Sequence, residues 1–269
     1  MKYIYIIGSG HSGSTLLDLM LSNAGEVFSM GEILRLGQAM QKGTLCSCSA
    51  RVSDCAVWKP ILDPFSTQDI NTFSYGADRD TINNAVAHDR FVERYPAFLS
   101  RIAEVTGESV FCDSSKLLAR LTLLSRIKDI DLYVLYLMRH PGGVVRSQMR
   151  KGRAFFQQSL VWLKRNFKTA HFLRSRGLRY KQLDYEKLVR HPENEIMETF
   201  SFFDSDCSPD LIVNFSKLRH LVEGNRIRMH HQKLQLREPE KWQNDFSYAQ
   251  YVLLSLINAL SLKRNMFGT

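Results

Sequence analysis

Gly8, Gly13, Ser14 and Thr15 stand at the spacing G-x-x-x-x-G-K-[ST], with Ser14 in the lysine position. The segment Tyr3–Leu17 reads as an apolar, β-branched strand, a glycine-rich turn and then a helix. Backbone N–H groups and a helix N-terminus in that layout face an anion. Gly10, His11, Ser12, Gly13, Ser14, Thr15 and Leu16 are therefore candidates to cradle a phosphate group. The missing lysine argues against ordinary ATP or GTP hydrolysis. Gly8, Gly10 and Gly13 also satisfy G-x-G-x-x-G, and Glu32 lies about 20 positions on, as a dinucleotide site requires. The loop by itself leaves both readings open.

A second stretch separates them. Leu132–Met138 is a nearly continuous apolar run, as in a buried parallel strand. It ends in Arg139-His140-Pro141, where a magnesium-holding strand would end in an acid. Pro141 suits the first turn of a helix, and Ser147 then lies within that helix. A guanidinium at a strand tip and a hydroxyl from the next helix can converge on a second phosphate.

One phosphate at the first loop and another at Arg139 and Ser147 do not describe a nucleoside triphosphate. At His11-Ser12-Gly13-Ser14-Thr15 and Arg139…Ser147 the chain resembles the sulfotransferases that use 3′-phosphoadenosine 5′-phosphosulfate (PAPS). Met30-Gly31-Glu32, Cys46-Ser47-Cys48, Asp113-Ser114-Ser115-Lys116, Leu183–Leu188 and Gly224-Asn225 with Arg228 resemble the bacterial branch, in the family's order. The family usually opens its first loop with a basic residue, and here that residue is His11.

The resemblance implies transfer of a sulfuryl group to a hydroxyl or amine by in-line displacement, with 3′-phosphoadenosine 5′-phosphate (PAP) as product. Glu32 is the implied base, because Met30-Gly31-Glu32 resembles the Gly-Glu context of the tyrosylprotein sulfotransferases. Asp113 is a rival base or a helix cap. His11 and Lys116 are candidates to stabilise the leaving phosphate, and Arg228, with Arg226 beside it, to close over the 3′-phosphate end. No metal is required, since arginine, lysine and backbone dipoles supply the positive field. The alternatives are a nucleotide kinase or NTPase, and a non-catalytic nucleotide-binding module.

These residues need a scaffold that gathers them. Strands are expected at 3–7, near 26–29, and at 109–112, 132–138 and 178–183. Helices are expected at 14–22, 78–105, 117–127, 141–150, 155–175 and 193–203, with an amphipathic helix at 251–262 and an irregular stretch at 37–66. Alternating strands and helices imply an α/β fold: a parallel sheet flanked by helices, in a P-loop nucleotide-hydrolase-like three-layer sandwich. The expected organisation is a single domain over 1–269, with an acceptor-side insertion at about 37–105. Phe65, Phe73, Tyr75, Phe155 and Phe156 are candidates to stack on a small-molecule, glycan or lipid acceptor. Trp58 and Trp242 suit either the core or the acceptor side.

Lysine and arginine number 36 against 27 acids, a net charge of +9 that favours an anionic ligand. The run Arg146, Arg150, Lys151, Arg153 reads as a solvated basic face, and no nucleic-acid motif accompanies it. Nothing near Met1 resembles a signal peptide and no apolar run approaches a membrane span, so a cytoplasmic location is expected. Cys46, Cys48 and Cys55 are spaced C-x-C-x₆-C without a histidine among them. That spacing favours free thiols over zinc, with a Cys48–Cys55 or Cys46–Cys55 bridge open. Cys112 reads as core, and His220, His230 and His231 as ordinary loop or surface histidines.

Overall fold

The computed structural model describes residues 1–76, 82–214, 217–229, 236 and 240–266, the side chains of 262–266 excepted. Its centre is strand β1 (Lys2–Gly8), which pairs in parallel with β3 (Val110–Asp113) on one side and β4 (Asp131–Met138) on the other. β2 (Phe28–Gly31) and β5 (Tyr180–Asp184) complete a parallel sheet of order β2-β3-β1-β4-β5. Its register sets Tyr3 beside Phe111 and Leu132, and Ile7 beside Tyr136.

β1 is apolar along its length because both its faces are covered. Tyr3, Tyr5 and Ile7 enter one core cluster, while Ile4 and Ile6 enter the other. The Ile4 face packs on α1 (Ser14–Ala24) and on α10 (Pro192–Phe202), through Leu17, Met20, Ile196 and Phe200. The Tyr3 face packs on α5 (Ala85–Thr106), α6 (Leu118–Leu124) and α8 (Phe155–Ser175), through Phe98, Leu121 and Leu173. Helix, sheet and helix thus form the expected three layers.

Parallel pairing puts every strand's carboxyl end on one edge. The chain leaves β1 for α1 on one face, and leaves β4 for α7 (Pro141–Met149) and α8, which covers the other. Departure of these neighbouring connections to opposite faces opens the crevice where such sheets bind ligands.

Several elements depart from the sequence reading. β2 begins two residues late, because Gly25 and Glu26 form the exit from α1. The stretch 37–66 is not irregular throughout: it holds α2 (Leu36–Lys42) and α3 (Trp58–Leu62). α4 (Thr67–Phe73), with its Ser66–Asp69 capping box, and α9 (Tyr185–Arg190), capped by Asp184, are too short for periodicity to reveal. α5 starts at Ala85, capped by the Asn84 side chain, and the start expected at residue 78 lies outside the described residues. α11 (Tyr248–Met266) outruns the expected C-terminal helix at both ends.

The aromatic residues proposed to meet an acceptor are mostly core. Phe73 and Tyr75 are buried, and Phe65 packs on Phe73 and Phe98. Trp58 stacks on Phe98, and Trp242 stacks on His140. Phe155 is buried against Phe246, whereas Phe156 is exposed. Cys112 is buried, as read.

Candidate active site

The glycine loop turns sharply, with Ser12 N–H bonded to Ser9 O at 3.1 Å. Gly13 caps α1 in the left-handed region (φ 96°), and no side chain caps the helix. Its first N–H groups are therefore left to an external acceptor. Glycine is required here twice over. A Cβ on Gly13 would strike the Tyr185 ring at 2.4 Å, and one on Gly8 would strike Leu137 O at 2.4 Å. Ser12 Oγ is buried with no hydrogen-bond partner. Thr15 Oγ1 accepts from Asn225 N–H at 3.1 Å, and Leu16 is buried beneath the loop. Gly10 has Arg165 Nη1 3.9 Å from where its Cβ would be.

The β3 tip supplies what the loop lacks. Lys116 Nζ donates to Ser14 Oγ at 2.9 Å and pairs with Glu32 Oε1 at 2.7 Å. Ser14 holds the lysine position of the phosphate-loop pattern, and the fold brings an ammonium to it from a different strand. Lys116 is left-handed (φ 63°), as is His11 (φ 65°). Non-glycine residues seldom adopt that region without surrounding constraint. Asp113 Oδ1 accepts from Ser115 N–H, and the Tyr5 hydroxyl both donates to Leu117 O and accepts from Leu117 N–H. Lys116 is thus gripped on both sides. Glu32 follows β2, anchored by its own N–H to Glu223 O at 3.2 Å, with Arg35 Nε 3.6 Å from its second oxygen.

Asp113 is engaged in a buried structural pair. Its carboxylate is fully buried, paired with Arg120 Nε at 2.8 Å and bonded by the Tyr3 hydroxyl at 2.9 Å.

His11 lies among cations. Burial first, then Lys151, Arg139 and Lys116, hold its pKa below the usual 6.5, so the ring is neutral at pH 7. Lys151 Nζ lies 3.1 Å from Nε2, which must accept, so the neutral ring carries its proton on Nδ1. The sequence reading took Lys151 for part of a solvated face, and the basic run around it was the available signal.

Arg139 donates through Nη1 to His11 O at 2.9 Å, stacks 4.2 Å over the Tyr185 ring, and leaves a buried Nε without a partner. It lies on Gly143, where a Cβ would come within 2.6 Å of Nε. Ser147 Oγ donates to Gly143 O at 3.0 Å, one turn back in α7, so both residues lie against Gly143. Arg228 is held elsewhere. Its Nη2 donates to Leu45 O at 2.8 Å, and among the described residues no contact joins it to Arg139 or Ser147. The late loop reaches Thr15 through Asn225 instead.

Three groups have no role assigned from the sequence. Tyr185 fills the space beside Gly13 and carries Arg139. Glu186 accepts from His140 N–H, and burial, then the charge of Asp184, pushes its carboxyl up to about 7. Asp18, one turn into α1, is pushed up to about 6 by burial while the Ser29 hydroxyl donates to it. The Asp184-Tyr185-Glu186 run was the visible signal for the first two.

The cysteines also have a companion the sequence reading denied them: His220 Nδ1 lies 3.2 Å from Cys55 Sγ. His230 and His231 lie outside the described residues.

Residues 4–209 match the model of the sulfotransferase family. No curated protein sequence matches the chain. Among solved structures the chain is similar to the sulfotransferase domain from the Synechococcus PCC 7002 olefin synthase. The TM-score is 0.61 at 18% identity, covering 96% of this chain and 94% of that one. It is also similar to the sulfotransferase domain from the curacin biosynthetic pathway, with TM-score 0.55 at 17% identity, covering 96% and 97%. These likenesses establish the fold, a P-loop-like parallel sheet between helical layers.

Proposed function

The chain belongs to the sulfotransferase family, and we propose that it moves a sulfuryl group from PAPS to a hydroxyl or amine of a small-molecule, glycan or lipid acceptor. The observation that carries this reading is the chain Glu32–Lys116–Ser14 at the uncapped N-terminus of α1. A carboxylate, an ammonium and a phosphate-facing helix end meet there at hydrogen-bond distance.

The residues fit the donor. The free N–H groups after Gly13 and the unpartnered Ser12 Oγ suit a 5′-phosphate. The unpartnered Arg139 Nε, with Ser147 beside it, suits a 3′-phosphate. When bound, PAPS supplies a sulfuryl group already activated on a phosphate leaving group.

Glu32 takes the acceptor's proton, which makes the oxygen or nitrogen nucleophilic. Lys116 holds the Glu32 carboxylate in place and offers its charge to the oxygen that becomes negative on departure. His11, with Lys151 at its Nε2, offers its Nδ1–H as a hydrogen-bond donor to the same region. No step in this scheme draws on a metal.

The catalytic unit is read as a single domain over residues 1–269, with the acceptor on the side of the 37–105 segment. Phe156 is the exposed aromatic of those expected to meet it. Among the described residues no helix is long and apolar enough to cross a membrane, and a cytoplasmic location is part of the proposal.

Calorimetric titration with PAP, beside ATP with magnesium and beside NADH, tests the donor class. Metal-independent binding of PAP alone supports the proposal and justifies an acceptor screen with PAPS. Preference for ATP or NADH overturns it in favour of a kinase or dehydrogenase.

A further inference from the structure

We propose that Cys46, Cys48, Cys55 and His220 form a structural zinc site. The sequence shows three cysteines in ten residues and no fourth ligand nearby. The fold supplies one from 165 residues away: His220 Nδ1 lies 3.2 Å from Cys55 Sγ and 3.9 Å from Cys46 Sγ. Cys48 Sγ and Cys55 Sγ are 3.6 Å apart, and all four donor atoms fall within 4.8 Å of one another. A tetrahedral site with Zn–S bonds of about 2.3 Å has edges of about 3.7 Å. The separations of 3.2, 3.6 and 3.9 Å lie near that edge length, so the donors are gathered at the scale of such a site.

The backbone around them is built to hold the donors in place. Leu45 and Arg51 pair as an antiparallel bridge, and Cys46 N–H bonds Ala50 O at 2.8 Å, closing a tight turn with Ser49 left-handed (φ 72°). That turn presents Cys46 and Cys48 together. Ser47, between them, bonds the distant segment 219–221 three ways. Its N–H donates to Leu221 O, its hydroxyl donates to Arg219 O, and Leu221 N–H donates to that hydroxyl. Trp58 Nε1 donates to His220 O, which fixes the histidine from the other side. Cys46 and Cys55 are buried and Cys48 is half-buried.

Four protein ligands make a closed site, which is the structural kind. Loading is balanced by proton release. Three thiols give up three protons, the imidazole binds neutral through Nδ1, and zinc with three thiolates carries one negative charge. Zinc gives thiolates the soft-ligand partner that a water-filled hollow would not.

The consequence is mechanical. Residues 219–222 lead to Glu223 and Asn225, which bond Glu32 and Thr15. A metal at the cysteines would pin that strap to the 45–58 segment.

The experiment uses the full chain, free of any histidine tag and purified under reducing conditions. Mass-spectrometric metal analysis should find about one zinc per chain, and cobalt(II) in its place should give the intense visible bands of a tetrahedral site with a thiolate charge-transfer band. The double variant Cys46→Ser/Cys55→Ser should lose the metal. Should that variant fail to fold, His220→Cys provides a separate arm: it should keep one metal and strengthen the charge-transfer band. Reduced wild-type chain that takes up no zinc or cobalt overturns the proposal, as does a Cys48–Cys55 disulfide whose reduction yields no metal binding. Metal retained undiminished by the folded double variant also overturns it.

Discussion

Two carboxylate–cation pairs lie at adjoining strand tips, and they are opposites. Asp113 and Arg120 are both fully buried, and every side-chain nitrogen and oxygen of the pair has a partner. Arg120 bonds Asp113, Tyr95 and the carbonyls of Phe73 and Tyr75, and lies 5.0 Å from the centres of the Phe91 and Tyr95 rings. Glu32 and Lys116 keep 21% and 14% exposure, and the groups beside them are short of partners. The first pair has nothing left to offer a substrate and holds the 65–120 segment to the sheet. The second has spare donors and acceptors facing the crevice. Two residues separate Asp113 from Lys116, and Lys116 itself, left-handed, turns the chain from one role to the other.

This contrast can be broken most severely at the closed pair. Asp113→Asn leaves the Arg120 charge buried without its counterion, at a cost of about 3–5 kcal/mol. In a chain of this size that is a fall in melting temperature of roughly 10 °C by calorimetry. An unchanged melting temperature with lost turnover would return Asp113 to the role of base.

At the open pair the order reverses. Glu32→Gln should lower turnover by roughly 10²-fold or more while leaving PAP affinity and melting temperature near wild type. Turnover that survives removes Glu32 as the base. Arg139→Ala should weaken PAP binding by about 2 kcal/mol, because it removes a charge-assisted partner, and barely alter 5′-AMP binding. Equal losses for both nucleotides would refute its 3′-phosphate role.

The smallest effect concerns a carboxyl that has no ion-pair partner among the described residues. Glu186 titrates near 7 in the folded chain against an ordinary 4.5. The native state therefore binds the extra proton between those values, and its contribution to stability falls as pH rises through them. Glu186→Gln should raise the melting temperature by a few degrees at pH 8 and leave it unchanged at pH 4. A gain equal at both pH values would mean that burial of the charge is not its origin.

Local pattern carried the scaffold. The apolar runs of β1 and β4 announced strands because a strand covered on both faces must be apolar throughout, and the glycine loop announced a tight turn onto a helix. Arg139 and Ser147 could be named from the end of one apolar strand and the proline that opens the next helix, and in the fold both lie against Gly143. Short helices such as α4 and α9 were not, since fewer than two turns give periodicity nothing to repeat. The burial of Phe73, Tyr75 and Asp113 was equally invisible. A residue's type does not say which neighbours will cover it, and the insertion's aromatics turned inward.

By itself, then, the sequence determined the α/β layering, the glycine turn onto α1 and the strand-tip arginine, all of which follow from residues within one strand, turn or helix. Tertiary structure alone decided that Lys116 fills the gap left at Ser14, that His11 is neutral, and that His220 joins three cysteines. Each of these depends on groups brought together from about 100 or more positions apart in the chain. Such meetings are fixed by strand order and by the packing of loops on one sheet edge, which no local spacing encodes.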